Sequence, residues 1–146
     1  GDVYKRQQQM YPSINHKYSF ELNKDFNFSA AHYIPSEDAG KCMRTHGHTY
    51  FVNLTIVGDE LDHNGFLVNF SELKQLVHGQ FDHHLLNDLP AFEGQSPSTE
   101  IVAQTVYDMV QEHLDQRDNQ PKCAQVFVRE TPTSYVRYIA KEFRHG

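Results

Sequence analysis

No stretch of this sequence stays apolar long enough to cross a membrane as a helix, so no membrane role and a soluble chain are expected. Positive charge is also in short supply. Lys and Arg number 13 against 19 Asp and Glu, for a formal net charge of −6. Nucleic-acid binding draws on clustered cations that neutralise phosphates, and this balance argues against such a partner. It leaves room for a small phosphorylated ligand, which needs only a few local cations or a helix N-terminus. Cysteine is scarce, with only Cys42 and Cys123. With no disulfide-rich pattern and no apolar signal segment, the chain reads as a reduced, cytoplasmic protein. Internal repeats and low-complexity tracts are absent too. Histidine, by contrast, is abundant, with 10 in 146 residues. A length of this order suits one domain with a real core.

Residues 1–17 lack periodicity and read as an extended, flexible leader, leaving a single domain over 18–146. Within YSFELNKDFNFSAAHYI, the positions Phe20, Leu22, Phe26, Phe28 and Ala30 alternate with mostly polar neighbours, the period of a half-buried strand, and His32 shares their parity. PSEDAGK is a loop. A second strand is expected from about His46 to Val57, with His46, His48, Tyr50, Val52, Leu54 and Ile56 on the core-facing side. Asn69 followed by Glu72 forms a capping-box pattern that opens a helix with Phe70, Leu73, Leu76 and Val77 on one face. A second helix is expected from SPSTE, with Ser96 as N-cap and Pro97 as its first residue. Its stripe of Ile101, Val102, Val106, Met109, Val110 and Leu114 has helical spacing and belongs to the core. CAQVFVRE and SYVRYIA, joined by TPT, are two more strands. The order β-β-α-α-β-β predicts an α+β fold, an antiparallel sheet with two helices packed on one face.

Two histidines one residue apart on a strand project to the same side about 7 Å apart, within reach of one metal ion. An antiparallel neighbour ending in His32 brings a third imidazole to His46 and His48. Three imidazoles leave the fourth position of a tetrahedral Zn²⁺ open, the arrangement of catalytic rather than structural zinc. Cys42 is then either a fourth ligand or a separate thiol whose proton is loosened by nearby cations. Cys123 precedes an apolar strand without polar company and reads as a small core residue. In FDHHLLN, Asp82 and His83 form a carboxylate–imidazole pair suited to acid–base work, though a helix end decorated with histidines has the same pattern, and His84 competes with His83 for the role. Glu130 shares the inward parity of Val126 and Val128. A buried carboxylate needs a partner, either an internal Arg or the guanidine-like edge of a heterocycle. The Thr99 hydroxyl, at the start of the second helix, is available to a ligand. Lys24, Arg44 and Arg137 are candidate cations for phosphate groups.

The motifs FNFSAAH, C-x3-HGH-x-Y, FDHHLLN, PSTE and VRETPTSY, in this order over about residues 18–140, resemble the 6-pyruvoyl-tetrahydropterin synthase superfamily. Its carboxytetrahydropterin-forming bacterial branch is the nearest, on the short C-x3-HGH spacing. The resemblance implies a T-fold that oligomerises into a β-barrel, commonly a homohexamer built from two trimers with active sites at subunit interfaces. It implies zinc ligands at His32, His46 and His48, a catalytic thiol at Cys42, and an Asp82–His83 pair contributed by a neighbouring subunit. It further implies a pterin anchor at Glu130 aided by Thr99. The reaction implied is that of a lyase of queuosine biosynthesis acting on 7,8-dihydroneopterin triphosphate to release acetaldehyde and triphosphate. The pyruvoyl-forming activity of the same superfamily and a non-catalytic pterin-binding module are the alternatives.

Overall fold

In the computed structural model, which describes residues 11–36, 40 and 43–145, the period-two segments pair as one five-stranded sheet. β1 (Phe20–His32) and β2 (His46–Gly58) are antiparallel in continuous register from Phe20 opposite Gly58 to His32 opposite His46. After them come α1 (Phe70–Phe81), β3 (His84–Leu85), α2 (Thr99–Asp115), β4 (Lys122–Thr131) and β5 (Ser134–Ile139). The sheet order is β3-β1-β2-β4-β5. All pairings are antiparallel except that of β3, which runs parallel to β1 for two residues. The sheet is therefore mixed. FDHHLLN, expected only to end a helix, supplies its edge strand.

Both helices cover the even-numbered face. Phe26, Phe28, Tyr50, Val52, Leu54 and Ile56 meet Leu73, Val77 and Phe81 of α1 and Val102, Val106, Val110 and Leu114 of α2. The Phe28 ring stacks on Tyr50 at 5.0 Å and meets Phe81 edge-on at 5.5 Å, geometries that aromatic quadrupoles favour. The α1 face is narrower than expected. Phe70 is exposed, because the first turn overhangs the sheet edge beside Phe20 and Phe66. Asn69 does cap α1 by accepting from the Ser71 N–H, but the capping box is not reciprocated. The Glu72 carboxylate instead meets Arg117 and His113. At α2 the N-cap is Ser98, whose hydroxyl accepts from the Ile101 N–H. Ser96 lies two residues too early to reach those amides, and its hydroxyl is buried without a hydrogen-bond partner.

Two irregularities in β4 re-aim side chains. Leu54 pairs with Val126 and Thr55 with Gln125, but Ile56 pairs with Cys123, so Ala124 is the extra residue of a bulge. Cys123 is thereby turned into the main core, and Ala124 joins a smaller cluster with Val57, Ala140 and Phe143 on the other face. The second shift falls between Arg129 and Thr131, at Glu130. The odd-numbered face is covered over half its length. Tyr11 packs edge-on against Phe127 at 4.9 Å, the Gln125 amide donates to the Pro12 carbonyl, and Ile14 and Tyr18 cover Val57. Asn53, Thr55 and Gln125 are buried there in consequence, whereas Phe51 and Tyr135 remain exposed.

Candidate active site and metal centre

The β1–β2 register places His32 opposite His46, with His48 two residues further on the same face. Their rings form a closed triangle, with centroids 4.7 Å apart for His32–His46 and His46–His48 and 5.3 Å for His32–His48. One ligand atom from each lies within 4.8 Å of those of the other two, close enough for a shared ion. The donor set fits a cation on independent grounds. His32 Nε2, His46 Nδ1 and His48 Nε2 are buried without hydrogen-bond partners. Buried polar atoms are nearly always satisfied, so convergent orphan lone pairs suit a bound cation. The other nitrogen of His32, Nδ1, donates to the Pro97 carbonyl at 2.7 Å and so leaves Nε2 as the free lone pair.

Glu130 closes one side of this cluster. Its Oε1 lies 2.9 Å from His32 Nε2 and 3.1 Å from His48 Nε2, but neither contact is aligned as a hydrogen bond. Oε2 accepts from the Thr99 hydroxyl at 2.7 Å. Thr99 is the first residue of α2, so the helix start and the β4 bulge jointly aim one carboxylate. Burial pushes His48 below the usual imidazole range, Glu130 opposes that shift, and the two neighbouring imidazoles add to it. A neutral imidazole is the form that binds metal. Tyr50, next along the same face, has a buried hydroxyl with no partner, and burial and Glu130 together raise its pKa.

Asp82 and His83 form a second constellation. Asp82 is the C-cap of α1, and its Oδ1 accepts from the Ser29 N–H at 2.8 Å. Its Oδ2 is 3.4 Å from His83 Nε2. His83 adopts φ 60°, a left-handed conformation rare outside glycine, and this turns its ring outward, with the side chain 83% exposed. The structure distinguishes the paired histidines. His83 faces the Asp82 carboxylate, while His84 Nδ1 is within 2.8 Å of the Asp82 carbonyl oxygen. The Ser29 N–H, followed by the nearby imidazoles of His78, His83 and His84, holds the Asp82 carboxyl below the usual range. His83 borders a groove lined by Ser29, Ala31, Gly47, Thr49 and also His48, one member of the imidazole triangle.

Cys42 lies outside the described residues. Cys123 is 1% exposed, and burial pushes its thiol up to about 12, so it is inert. Of the candidate cations, Arg137 Nε donates to Gln125 Oε1 at 2.6 Å, and Lys24 sits 6.0 Å above the exposed Phe70 ring. The sequence reading missed Pro97, Tyr50 and His78. Pro97 and Ser29 act through backbone groups, which leave no trace in residue type. Tyr50 was visible by parity, and His78 by its i, i+4 spacing to Asp82.

This arrangement of sheet and helices is the T-fold. The structure of Caenorhabditis elegans 6-pyruvoyl tetrahydropterin synthase superposes with a TM-score of 0.69 at 26% identity, covering 84% of this chain and 96% of that one. The Plasmodium vivax 6-pyruvoyl tetrahydropterin synthase structure, with a TM-score of 0.60 at 22% identity, covers 82% of this chain and 96% of its own and shows the same fold. In sequence, residues 21–141 match the family described as 6-pyruvoyl tetrahydropterin synthase. The chain belongs to that family and is one of its enzymes. It is 61% identical over 138 residues to 6-carboxy-5,6,7,8-tetrahydropterin synthase of Bacillus subtilis, covering 92% of this chain and 94% of that protein. The Synechocystis protein of the same name is 34% identical over 127 residues, covering 82% and 92%.

Proposed function

We propose that this chain is a zinc-dependent lyase that converts 7,8-dihydroneopterin triphosphate to 6-carboxy-5,6,7,8-tetrahydropterin, releasing acetaldehyde and triphosphate, in the queuosine and 7-deazapurine route of the cytoplasm. The observation that carries the reading is the triangle of His32, His46 and His48 with orphan nitrogens facing inward, beside a carboxylate aimed by Thr99. It stands in a chain 61% identical to a protein named for this product.

His32, His46 and His48 are the residues that would hold zinc. Bound there, zinc supplies a Lewis acid that polarises the hydroxyls of the substrate side chain. The remaining work falls to the chain's own groups. Glu130 accepts two parallel hydrogen bonds from the guanidine-like edge of the pterin, and Thr99 keeps its carboxylate from rotating away. Cys42 and His83 move protons at the side-chain carbons from opposite faces, with Asp82 orienting His83. The His83 side chain is 83% exposed, and we take the Asp82–His83 pair to serve the site of a neighbouring chain in a homo-oligomer, a hexamer of two trimers. The exposed Phe51 and Tyr135 on the uncovered half of the sheet supply apolar area for such contacts.

The test is to supply dihydroneopterin triphosphate to the zinc-loaded protein and identify the products by mass. Acetaldehyde with a 6-carboxy product is expected. A 6-pyruvoyl product would place the chain in the other activity of the family, and tight pterin binding without turnover would make it a binding module. Cys42→Ala is expected to fold, retain metal and lose turnover. Mixing Cys42→Ala with His83→Ala chains is expected to restore part of the activity if one site draws on two chains.

A further inference from the structure

The two oxygens of Glu130 are held by different partners. Oε2 accepts from the Thr99 hydroxyl at 2.7 Å. Oε1 lies 2.9 Å from His32 Nε2 and 3.1 Å from His48 Nε2, yet neither short contact is a hydrogen bond. For His32 the tautomer gives the reason. Nδ1 carries the proton donated to the Pro97 carbonyl, so Nε2 turns a lone pair toward the carboxylate. A carboxylate oxygen against a lone pair repels it, and both side chains are largely buried, where water screens little. The helix start at Thr99 and the β4 bulge at Glu130 nevertheless aim the oxygen there. A cation between them reverses the sign of the contact, because oxygen and nitrogens then give their lone pairs to one charge.

We propose that Glu130 is a displaceable fourth metal ligand: it closes the metal site of the ligand-free protein, and the pterin edge draws it off. This rests on the reading of the imidazole triangle as the metal centre and of Glu130 as the pterin anchor. Three imidazoles and one carboxylate complete a four-donor set, and a closed set leaves no position for substrate. The guanidine-like edge of a pterin offers the carboxylate two parallel N–H donors in exchange. Oε2 keeps Thr99 throughout, since a carboxylate oxygen has a second lone pair, so the carboxylate turns about that bond without leaving the site. Recognition of the ring and access to the metal thereby become one event. A ring without the 2-amino donor leaves the site closed. By reciprocity, metal and a bare pterin ring weaken each other's binding by the same factor.

The test loads the full chain with Co²⁺, whose visible absorption reports the atoms around it, and adds one of two probes. Bare pterin has the guanidine-like edge but no side chain to reach the metal, and lumazine carries oxygen in place of the 2-amino group. Pterin is expected to change the cobalt spectrum of the wild type, and lumazine to leave it unchanged. Glu130→Gln and Glu130→Ala should each alter the spectrum before any probe is added. Both should also raise the zinc Kd, read by chelator competition, at least about tenfold, the scale of losing a group that supports a metal site. Identical spectra in wild type and both variants, or a wild-type spectrum indifferent to saturating pterin, would overturn the proposal. Failure of the underlying readings looks different. Wild-type protein that binds no cobalt would sink the metal centre. Variants with the altered spectrum that bind pterin as tightly as wild type would leave Glu130 a ligand and remove it as the anchor, which ends the exchange.

Discussion

The imidazole of His32 is oriented by Pro97, a residue 65 positions away, through a 2.7 Å hydrogen bond from Nδ1 to the Pro97 carbonyl. A carbonyl only accepts, so Nδ1 carries the proton and Nε2 presents its lone pair to His46 and His48. The loop that leads into α2 thus sets the tautomer of an imidazole on β1, and the next residues place Ser98 as the helix cap and Thr99 against Glu130. One short segment orients both the His32 imidazole and the Glu130 carboxylate.

Replacing His32, His46 or His48 with alanine should abolish zinc retention, measured as metal content after dialysis. At zinc concentrations 100 times its Kd, the wild-type protein should gain about 2.7 kcal/mol of stability in thermal melts. The alanine variants should gain none, and equal gains would refute the triangle as the metal centre.

Thr99→Val removes the hydroxyl that holds Glu130 Oε2 while keeping the side chain's volume. Zinc content should be unchanged, and KM for the pterin substrate should rise about tenfold, the equivalent of one lost hydrogen bond to a charged group. A large loss of zinc with KM unaltered would assign Glu130 to the metal instead.

Phe81→Ala empties a fully buried position between Phe28 and Phe92, one residue before Asp82. A loss of about 3–5 kcal/mol in denaturant unfolding is expected. Because the α1 end also aims Asp82, the folded fraction should show reduced turnover.

Asp62 organises the loop between β2 and α1, accepting from the Phe66 and Asn64 N–H groups and pairing with Arg117 at 3.0 Å. Those amides, Phe66 first, hold its carboxyl below the usual range. A lowered folded pKa contributes stability that is present above the ordinary carboxylate range and lost as pH falls through the folded value. Asp62→Asn should therefore melt below wild type at neutral pH, and the gap should close on acidification, read from Tm as a function of pH. A constant gap would mean the charge is not responsible.

Thiol labelling of the native protein should find Cys123 silent, because its thiol is pushed up to about 12 by complete burial. Cys42 should account for all fast reaction, and Cys123 should react only after unfolding. Fast loss of two thiols from the native chain would contradict the buried position.

The sequence by itself determined the pairing frame and the convergence of His32, His46 and His48. Alternation from Phe20 to His32 and from His46 to Ile56 leaves one register in which both apolar faces and all three imidazoles point inward, because a slip of one residue would turn every side chain outward. The stripe of α2 and the turn between β4 and β5 were legible for the same local reason. Tertiary structure decided what local periodicity does not encode. The α2 cap fell to Ser98 because reach to the Ile101 amide, not residue type, selects the N-cap. Cys123 entered the core through a bulge that depends on the partner strand. Phe70 was left exposed because helical spacing does not say where a helix overhangs its sheet. Backbone groups of Pro97 and Ser29, brought close only by folding, set the direction of His32 and Asp82. Residue type supplied the chemistry, and long-range contacts gave each group its aim.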